Sequence, residues 1–218
     1  MGPDVCVELL GLFLCIAAGV CTLTTTLLPQ WVSLSTDLLP TESYQTGLWE
    51  TCVAQDMGGT ECRAYDSLLG LPLDIKLARI LMCTAVSISI LSVLVAIPGL
   101  TLVKCCNSRR GQRLKKAMRI FGGTLSILSG LLCLVPVSYT AHITLSKFWD
   151  DTLPDIMPRG EFGDALFCGW AASFLHIVAG TLLASSHLCY EDEFDGKTST
   201  AAEMQALDDM SRGRREYV

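Results

Sequence analysis

The sequence has 218 residues, of which 50% are hydrophobic and only 17% are charged. A soluble domain of this length needs more charge to keep its surface solvated, so the composition excludes an ordinary soluble protein. The charges are also unevenly distributed, because four long stretches contain none.

These uncharged stretches predict four transmembrane helices. Each has at least 20 residues, and about 20 apolar residues in a helix cross the hydrocarbon core of a bilayer. The predicted spans are residues 9–28, 79–103, 120–141 and 165–188, where the second span adds Arg79 to an uncharged run that begins at Ile80. The first span is not preceded by the basic residues of a signal peptide, so we expect a retained helix.

The segment between the second and third spans, residues 104–119, fixes the expected orientation. It contains seven bases and no acid: Lys104, Arg109, Arg110, Arg113, Lys115, Lys116 and Arg119. Such loops stay in the cytoplasm, so residues 1–8 and 189–218 are also expected there. Loops 29–78 and 142–164 then face outside. Because membrane helices flank the basic loop on both sides, no nucleic-acid partner is expected.

The two cysteines of the first outer loop predict a disulfide. Cys52 and Cys62 are the only cysteines in either outer loop, and thiols oxidise outside the cell. A zinc site needs two more ligands, and this loop contains no histidine. Redox catalysis favours a shorter Cys-x-x-Cys spacing. We therefore expect a structural disulfide and neither a metal nor another cofactor.

A glycine pair between these cysteines predicts a hairpin. Gly58 and Gly59 supply the positive φ angles that a tight turn requires, so the flanking segments are expected to form antiparallel strands. The midpoint of the cysteine pair is residue 57, whereas the glycine pair is centred between residues 58 and 59. A two-residue turn would not bring the cysteines opposite each other, so a longer or bulged connection is expected.

Several short motifs resemble the claudin family across all four spans and both outer loops. The first-loop signature consists of Trp31, Gly47, Leu48, Trp49, Cys52 and Cys62, and it is followed by Arg79 at the outer end of the second span. The second loop contains "EFGDALFCGW", which is similar to the claudin pattern there. The final "REYV" resembles many claudin C-termini.

The resemblance implies a fold and a function. The fold is a mainly α-helical membrane protein, a left-handed four-helix transmembrane bundle with a small extracellular antiparallel β-sheet. The function is adhesion at tight junctions of the plasma membrane. Contacts with other claudins in cis and in trans build strands that form a paracellular barrier or a charge-selective pore. The alternative is a tetraspan accessory subunit that regulates a channel or membrane trafficking. No nucleophile–base constellation supports an enzyme.

Polar and charged residues near the two cysteines are the candidates for ion selectivity, as the resemblance implies. They are Gln55, Asp56, Glu61, Arg63 and Asp66. Charges that line a narrow aqueous gap admit one sign of ion. The first outer loop has a net charge of −5, from seven acids and two bases, which favours cations. Arg63 directly after the second cysteine opposes this, and we hypothesise a barrier with Arg63 as the main cation-repelling charge.

Aromatic residues of the second outer loop are the candidates for contacts between molecules. Phe148, Trp149 and Phe162 match aromatics that claudins use for this purpose. Gly160 departs from the pattern, because many claudins have an aromatic residue there.

Two features of the spans concern helix packing. Gly122, Ser126 and Gly130 form a stripe of small residues that allows close helix approach. His176 in the fourth span is expected to hydrogen-bond a neighbouring helix rather than to carry protons.

The cytoplasmic segments carry two further candidate sites. Cys105, Cys106 and Cys189 lie at span ends, as S-palmitoylated cysteines do. The C-terminal Glu216, Tyr217 and Val218 resemble a ligand for PDZ domains, with Val218 in the pocket. The expected partners are PDZ scaffold proteins of the zonula occludens type and membrane lipid.

Overall fold

The computed structural model of the chain describes residues 3–35, 42–55, 59–67, 70–100, 109–149 and 159–185. The described part contains four long helices, α1 (Pro3–Leu27), α2 (Leu73–Gly99), α3 (Arg109–Phe148) and α4 (Asp164–Ser185). All four are long and apolar enough to cross a membrane, which confirms the predicted number of spans.

Helix α3 extends well beyond the uncharged run from which it was predicted. It begins at Arg109, within the predicted cytoplasmic loop, and continues to Phe148, within the predicted second outer loop. Lysine, arginine, glutamine and leucine favour helices, so the basic segment continues the helix instead of breaking it. A charge-free run identifies only the part of a helix that lies inside the hydrocarbon core. A prediction from such runs therefore does not include the polar extensions at either end of the helix.

The four helices pack as an antiparallel bundle. Helices α1 and α3 each contact both α2 and α4. The stripe predicted on α3 forms close contacts, because a Cβ on Gly122 would lie 3.1 Å from the Ala96 side chain of α2. A Cβ on Gly130 would lie 2.9 Å from His176 Cβ of α4. The small residues therefore let α3 approach both of its neighbours.

Five short strands form one antiparallel sheet at one end of the bundle. They are β1 (Val32–Ser35), β2 (Glu42–Thr46), β3 (Glu50–Gln55), β4 (Gly59–Ala64) and β5 (Arg159–Phe162), in the spatial order β4-β3-β2-β1-β5. Strand β5 comes from the second outer loop and pairs with β1 of the first. Both outer loops therefore contribute to one sheet, beside the ends of α1 and α3 and the starts of α2 and α4.

The predicted hairpin is present as strands β3 and β4. Cys52 lies directly opposite Cys62. The last paired residues are Gln55 and Gly59, so three residues connect the strands, one more than in the shortest hairpins. Gly59 has a φ of +86°, a conformation that glycine adopts without steric cost. The connection is thus longer than two residues, as predicted.

The sheet and the bundle share a hydrophobic core. Trp31 and Leu48, at the base of the sheet, are each 3% exposed and belong to the same buried cluster as Met82, Val137 and Leu166 of the helices. This shared core anchors the sheet to the outer end of the bundle.

Candidate functional site: the five-stranded sheet and its anchor

Two signature tryptophans satisfy the C-terminal end of α1. The last carbonyl groups of a helix have no partner within the helix. Here Trp31 Nε1–H donates to the Thr25 carbonyl at 2.9 Å, and Trp49 Nε1–H donates to the Thr26 carbonyl at 2.8 Å. The two indoles therefore connect the sheet to the helix that precedes it.

Gly47 and Leu48 fit a confined space between the sheet and α1. A Cβ on Gly47 would lie 2.5 Å from Pro29 Cα, so no other residue fits without a backbone shift. Gly47 N–H donates to the Glu50 carbonyl at 3.0 Å, which turns the chain from β2 into β3. This turn directs Leu48 into the shared core.

Arg79 of α2 holds the same turn from the other side. Its Nε–H donates to the Leu48 carbonyl at 2.6 Å, and its side chain is almost completely buried. The guanidinium carbon lies 4.9 Å from the Trp49 ring centroid and 5.4 Å from that of Tyr65. Both aromatic faces attract the cation. The buried arginine thus binds a backbone carbonyl and two aromatic rings.

Tyr65 completes this anchor, although the sequence analysis did not identify it. Its hydroxyl donates to the Gly47 carbonyl at 3.1 Å, and its N–H donates to the Trp49 carbonyl at 3.4 Å. A single aromatic residue after a strand carries no local signal of such a contact. Only its position three residues after Cys62 could have drawn attention to it.

The predicted disulfide joins β3 and β4. Cys52 and Cys62 are bonded, and their Cα atoms are 4.0 Å apart. Within the described ranges, the one candidate metal cluster consists of this pair with Glu50. Sulfur atoms that are bonded to each other cannot act as thiolate ligands. The arrangement is therefore a covalent staple.

Strand β4 presents two of the selectivity candidates, Glu61 and Arg63, at one edge of the sheet. All six of its residues are exposed. Glu61 and Arg63 are two positions apart, so their side chains lie on the same face. Arg63 Nη2 is 3.2 Å from Asp66 Oδ2, and both side chains are more than 80% exposed. The structure thus brings Arg63 together with Asp66, and places Glu61 beside them on the strand.

The three aromatic candidates of the second outer loop fall into two groups. Phe148 and Trp149 are in edge-to-face contact, with centroids 5.6 Å apart, and Trp149 is 75% exposed. Phe162 instead contacts Phe167 and Trp170 of α4, with centroids at 6.4 and 6.0 Å. Phe167 and Trp170 belong to the claudin-like motif "EFGDALFCGW", but their contact with Phe162 was not predicted. The pair of Phe148 and Trp149 therefore lies at the end of α3, whereas the cluster around Phe162 lies at the junction of β5 and α4.

Two glycines explain how β5 approaches β1. A Cβ on Gly160 would lie 3.2 Å from Val32 Cγ1, so an aromatic residue would not fit this arrangement unchanged. A Cβ on Gly163 would overlap the Gln30 carbonyl oxygen. Gly163 N–H donates to the Trp31 carbonyl at 3.1 Å. The close approach at Gly163 therefore joins the second outer loop to the base of the first.

His176 hydrogen-bonds neighbouring helices, as expected for a buried histidine in a bundle. Its Nε2 lies 3.1 Å from Thr22 Oγ1 of α1, and its Nδ1 lies 3.2 Å from Ser126 Oγ of α3. Cys15 Sγ of α1 lies 3.6 Å from Ser126 Oγ and 3.5 Å from Ser92 Oγ of α2. This polar network connects all four helices.

A buried ion pair at the opposite end of the bundle was not predicted. Glu8 of α1 and Arg119 of α3 are in direct contact, with side chains 2% and 12% exposed. The two residues belong to separate segments that were predicted to be cytoplasmic, residues 1–8 and 104–119. Nothing in the sequence indicates a pairing between residues so far apart in the chain.

The remaining candidates lie outside the described residues or are described in part. The following candidates do not belong to the described residues: Asp56, Cys105, Cys106, Cys189, Glu216, Tyr217 and Val218. For Gln55, the backbone belongs to β3.

Comparison with known proteins agrees with this architecture. Residues 5–183 match the model of the PMP-22/EMP/MP20/Claudin family. The chain is 38% identical to claudin-14 of Mus musculus over 183 residues, which cover 83% of this chain and 75% of that protein. It is 34% identical to claudin-3 of Mus musculus over 182 residues, with 82% and 81% covered. Claudin-17 of Sus scrofa is 33% identical over 209 residues, with 94% and 92% covered. The chain therefore belongs to the claudins of the PMP-22/EMP/MP20/Claudin family.

Proposed function

We propose that this chain forms tight-junction strands that restrict ion flow between cells. Its membership among the claudins supports a multi-pass membrane protein with a paracellular barrier or pore function at tight junctions, and claudins are structural and channel-like proteins. The observation that carries the proposal is the five-stranded sheet built from both outer loops and rooted in the bundle by Trp31, Trp49 and Arg79. No enzymatic activity is proposed.

Arg63 is proposed to be the main cation-repelling charge of this barrier. Support comes from its position on β4, a strand that is exposed along its whole length at the edge of the sheet. Its partner Asp66 and its neighbour Glu61 carry the opposite charge, so Arg63 is proposed to act locally, through its exposed position, and its ion pair with Asp66 is weak and screened by salt. We therefore expect a barrier that differs only modestly in its permeability to cations and anions, and not a strongly anion-selective pore.

Electrical measurements on epithelial cells stripped of their own claudins test this proposal. Cells that express the wild-type chain should show raised transepithelial resistance and reduced sodium permeability in NaCl dilution potentials. Arg63→Asp should reverse the change in sodium permeability. Lys147→Asp is the matched control, because Lys147 is an exposed base outside the sheet. Increased sodium permeability in the wild type would mean that the acids of the loop dominate.

Claudins in cis and in trans are the proposed partners of the outer surface. The exposed pair Phe148 and Trp149 is proposed to contact a neighbouring molecule, and Phe162 to position β5 for such contacts. Trp149→Ala should reduce enrichment at cell borders, whereas Phe174→Ala, on the lipid-exposed side of α4, should not. The accessory-subunit alternative predicts surface expression with no enrichment at borders for any variant.

The basic end of α3 is proposed to face the cytoplasm together with both termini. Support comes from Arg113, Lys115 and Lys116, which lie at the end of the bundle opposite the disulfide-bonded sheet. Palmitoylation of Cys105, Cys106 and Cys189, and binding of zonula occludens-type PDZ domains to Glu216–Val218, are proposed on the same side. Deletion of Val218 should abolish PDZ binding in a pull-down, while removal of Met1 should not.

A further inference from the structure

The first eleven residues of α3 concentrate positive charge on a rigid element. Residues 109–119, termed the basic segment, contain six bases and no acid: Arg109, Arg110, Arg113, Lys115, Lys116 and Arg119. The segment belongs to the same uninterrupted helix as the third span. The backbone positions of these basic residues are therefore fixed relative to the span by the helix geometry.

Glu8 of α1 neutralises the cation nearest the bundle. It pairs with Arg119, and both side chains are largely buried, so this pair belongs to the packing between α1 and α3. Arg113, six residues earlier, is exposed. The basic segment therefore keeps an exposed positive charge beyond the pair.

An exposed apolar stripe runs along α3 from the basic segment into the span. Its residues recur at three- and four-residue spacing: Leu114, Ala117, Phe121, Thr124, Leu128, Leu131 and Val135. Leu114, Phe121 and Val135 are 61%, 55% and 56% exposed. In a membrane bundle, an exposed stripe with this spacing faces acyl chains.

Arg113 continues the stripe at its basic end. It precedes Ala117 by one helical turn and Phe121 by about 12 Å along the helix axis. One side of α3 thus changes from apolar to cationic within about two helical turns, with the apolar residues on the side of the span. The apolar residues followed by cationic residues along α3 are complementary to the acyl chains followed by the phosphate group in a phospholipid.

We propose that the basic segment and the stripe bind an anionic phospholipid of the inner leaflet. Its acyl chains lie along Phe121 and Leu128, and its phosphate groups lie at Arg113 and Lys116. A headgroup with several phosphates, as in phosphorylated inositol lipids, binds more tightly than one with a single charge, because several cations lie within two helical turns. The apolar stripe favours a lipid over a soluble phosphate, which would use the cations alone.

This inference extends the proposed junctional function and uses the proposed orientation only to choose the leaflet. Lipid binding to purified protein requires neither strands nor a particular orientation. A failure of lipid binding would leave the junctional proposal intact, and a failure to form strands would leave lipid binding intact.

Native mass spectrometry of the purified full chain in detergent tests the proposal. Phosphatidylinositol 4,5-bisphosphate, phosphatidylserine and phosphatidylcholine are titrated separately, and the bound fraction is compared. The inositol lipid should bind most tightly and phosphatidylcholine most weakly. Arg113→Gln should weaken binding of the inositol lipid about fivefold, the effect of removing one base near a membrane surface. Lys147→Gln, at the other end of the same helix, should leave it unchanged.

Three outcomes would overturn the proposal. They are equal binding of all three lipids, an unchanged affinity in Arg113→Gln, and an equal loss in Lys147→Gln. Inositol hexakisphosphate serves as a soluble competitor without acyl chains. If it binds as tightly as the lipid, the stripe does not contribute and the site is not a lipid site. Arg113 is exposed, so its variants should elute as folded monomers in size-exclusion chromatography, and Arg113→Lys should retain most of the affinity.

Discussion

The Nε–H of Arg79 on α2 donates to the Leu48 carbonyl in the first outer loop at 2.6 Å. The two residues are 31 positions apart, and their contact fixes the turn between β2 and β3 to the bundle. Stacking of the guanidinium on Trp49 and Tyr65 adds to the same contact. Arg79 therefore acts together with Trp31 and Trp49 to set the orientation of the outer sheet on the helices.

Replacement of Arg79 should release the sheet. Arg79→Met leaves the Leu48 carbonyl without its donor and removes both cation–π contacts, so the free energy of unfolding should fall by about 2–4 kcal/mol. Arg79→Lys should recover little, because an ammonium lacks the planar geometry. Thermal midpoints from fluorescence-detected size-exclusion chromatography measure the change, with exposed Lys147→Met as the control. Equal midpoints for Arg79→Met and the control would contradict this role.

The two signature tryptophans should differ in their contribution to stability. Trp31→Phe and Trp49→Phe each leave one carbonyl of the α1 C-terminus without its donor. Trp31 is 3% exposed and Trp49 is 39% exposed, so water can replace the lost donor more readily at Trp49. The free energy of unfolding should fall by about 1–3 kcal/mol for Trp31→Phe and by less for Trp49→Phe. The reverse order, by the same thermal assay, would show that the capping bonds do not determine the effect.

Gly163 should not tolerate alanine. The added Cβ would overlap the Gln30 carbonyl oxygen, so β5 would have to move away from β1 at a cost of about 3 kcal/mol or more. Surface biotinylation should show loss of the protein from the plasma membrane. Gly70→Ala provides the control, because a Cβ there meets no atom within 4 Å. Normal surface levels of Gly163→Ala would mean that this close approach is unnecessary.

The network around His176 should behave as a coupled unit. His176→Leu removes the ring nitrogens that face Thr22 and Ser126, so the free energy of unfolding should fall by about 1–3 kcal/mol. A double-mutant cycle with Ser126→Ala should give a coupling energy of about 0.5–1.5 kcal/mol. Phe174→Leu, at an exposed position of the same helix, serves as the control. If the changes in the free energy of unfolding were strictly additive, His176 and Ser126 would not be energetically coupled, which would contradict the network.

The features that the sequence predicted correctly have short-range signals. Four uncharged runs identify the spans, because the hydrocarbon core imposes the same requirement at every position of a span. The disulfide and the hairpin follow from two cysteines and two glycines within one short segment. The remaining signature residues were identified by family resemblance, and the structure supplies their physical roles, such as the absence of space for a Cβ at Gly47.

The features that were missed depend on contacts between residues distant in the chain. Glu8 meets Arg119 only because α1 and α3 are packed together, and neither residue has a sequence neighbour that indicates the other. The pairing of β1 with β5 and the separation of Phe162 from Phe148 likewise follow from the assembled bundle. The length of α3 was underestimated for a different reason, since a search for charge-free runs ends at the first base.

The formation of strands is the central claim, and imaging of fibroblasts that lack claudins tests it most directly. The tagged chain is expressed alone and together with claudin-3, and freeze-fracture electron microscopy follows fluorescence imaging of cell contacts. We expect enrichment at borders between two expressing cells and networks of intramembrane strands. Uniform distribution over the plasma membrane without strands, in both conditions and with normal surface levels, would contradict it.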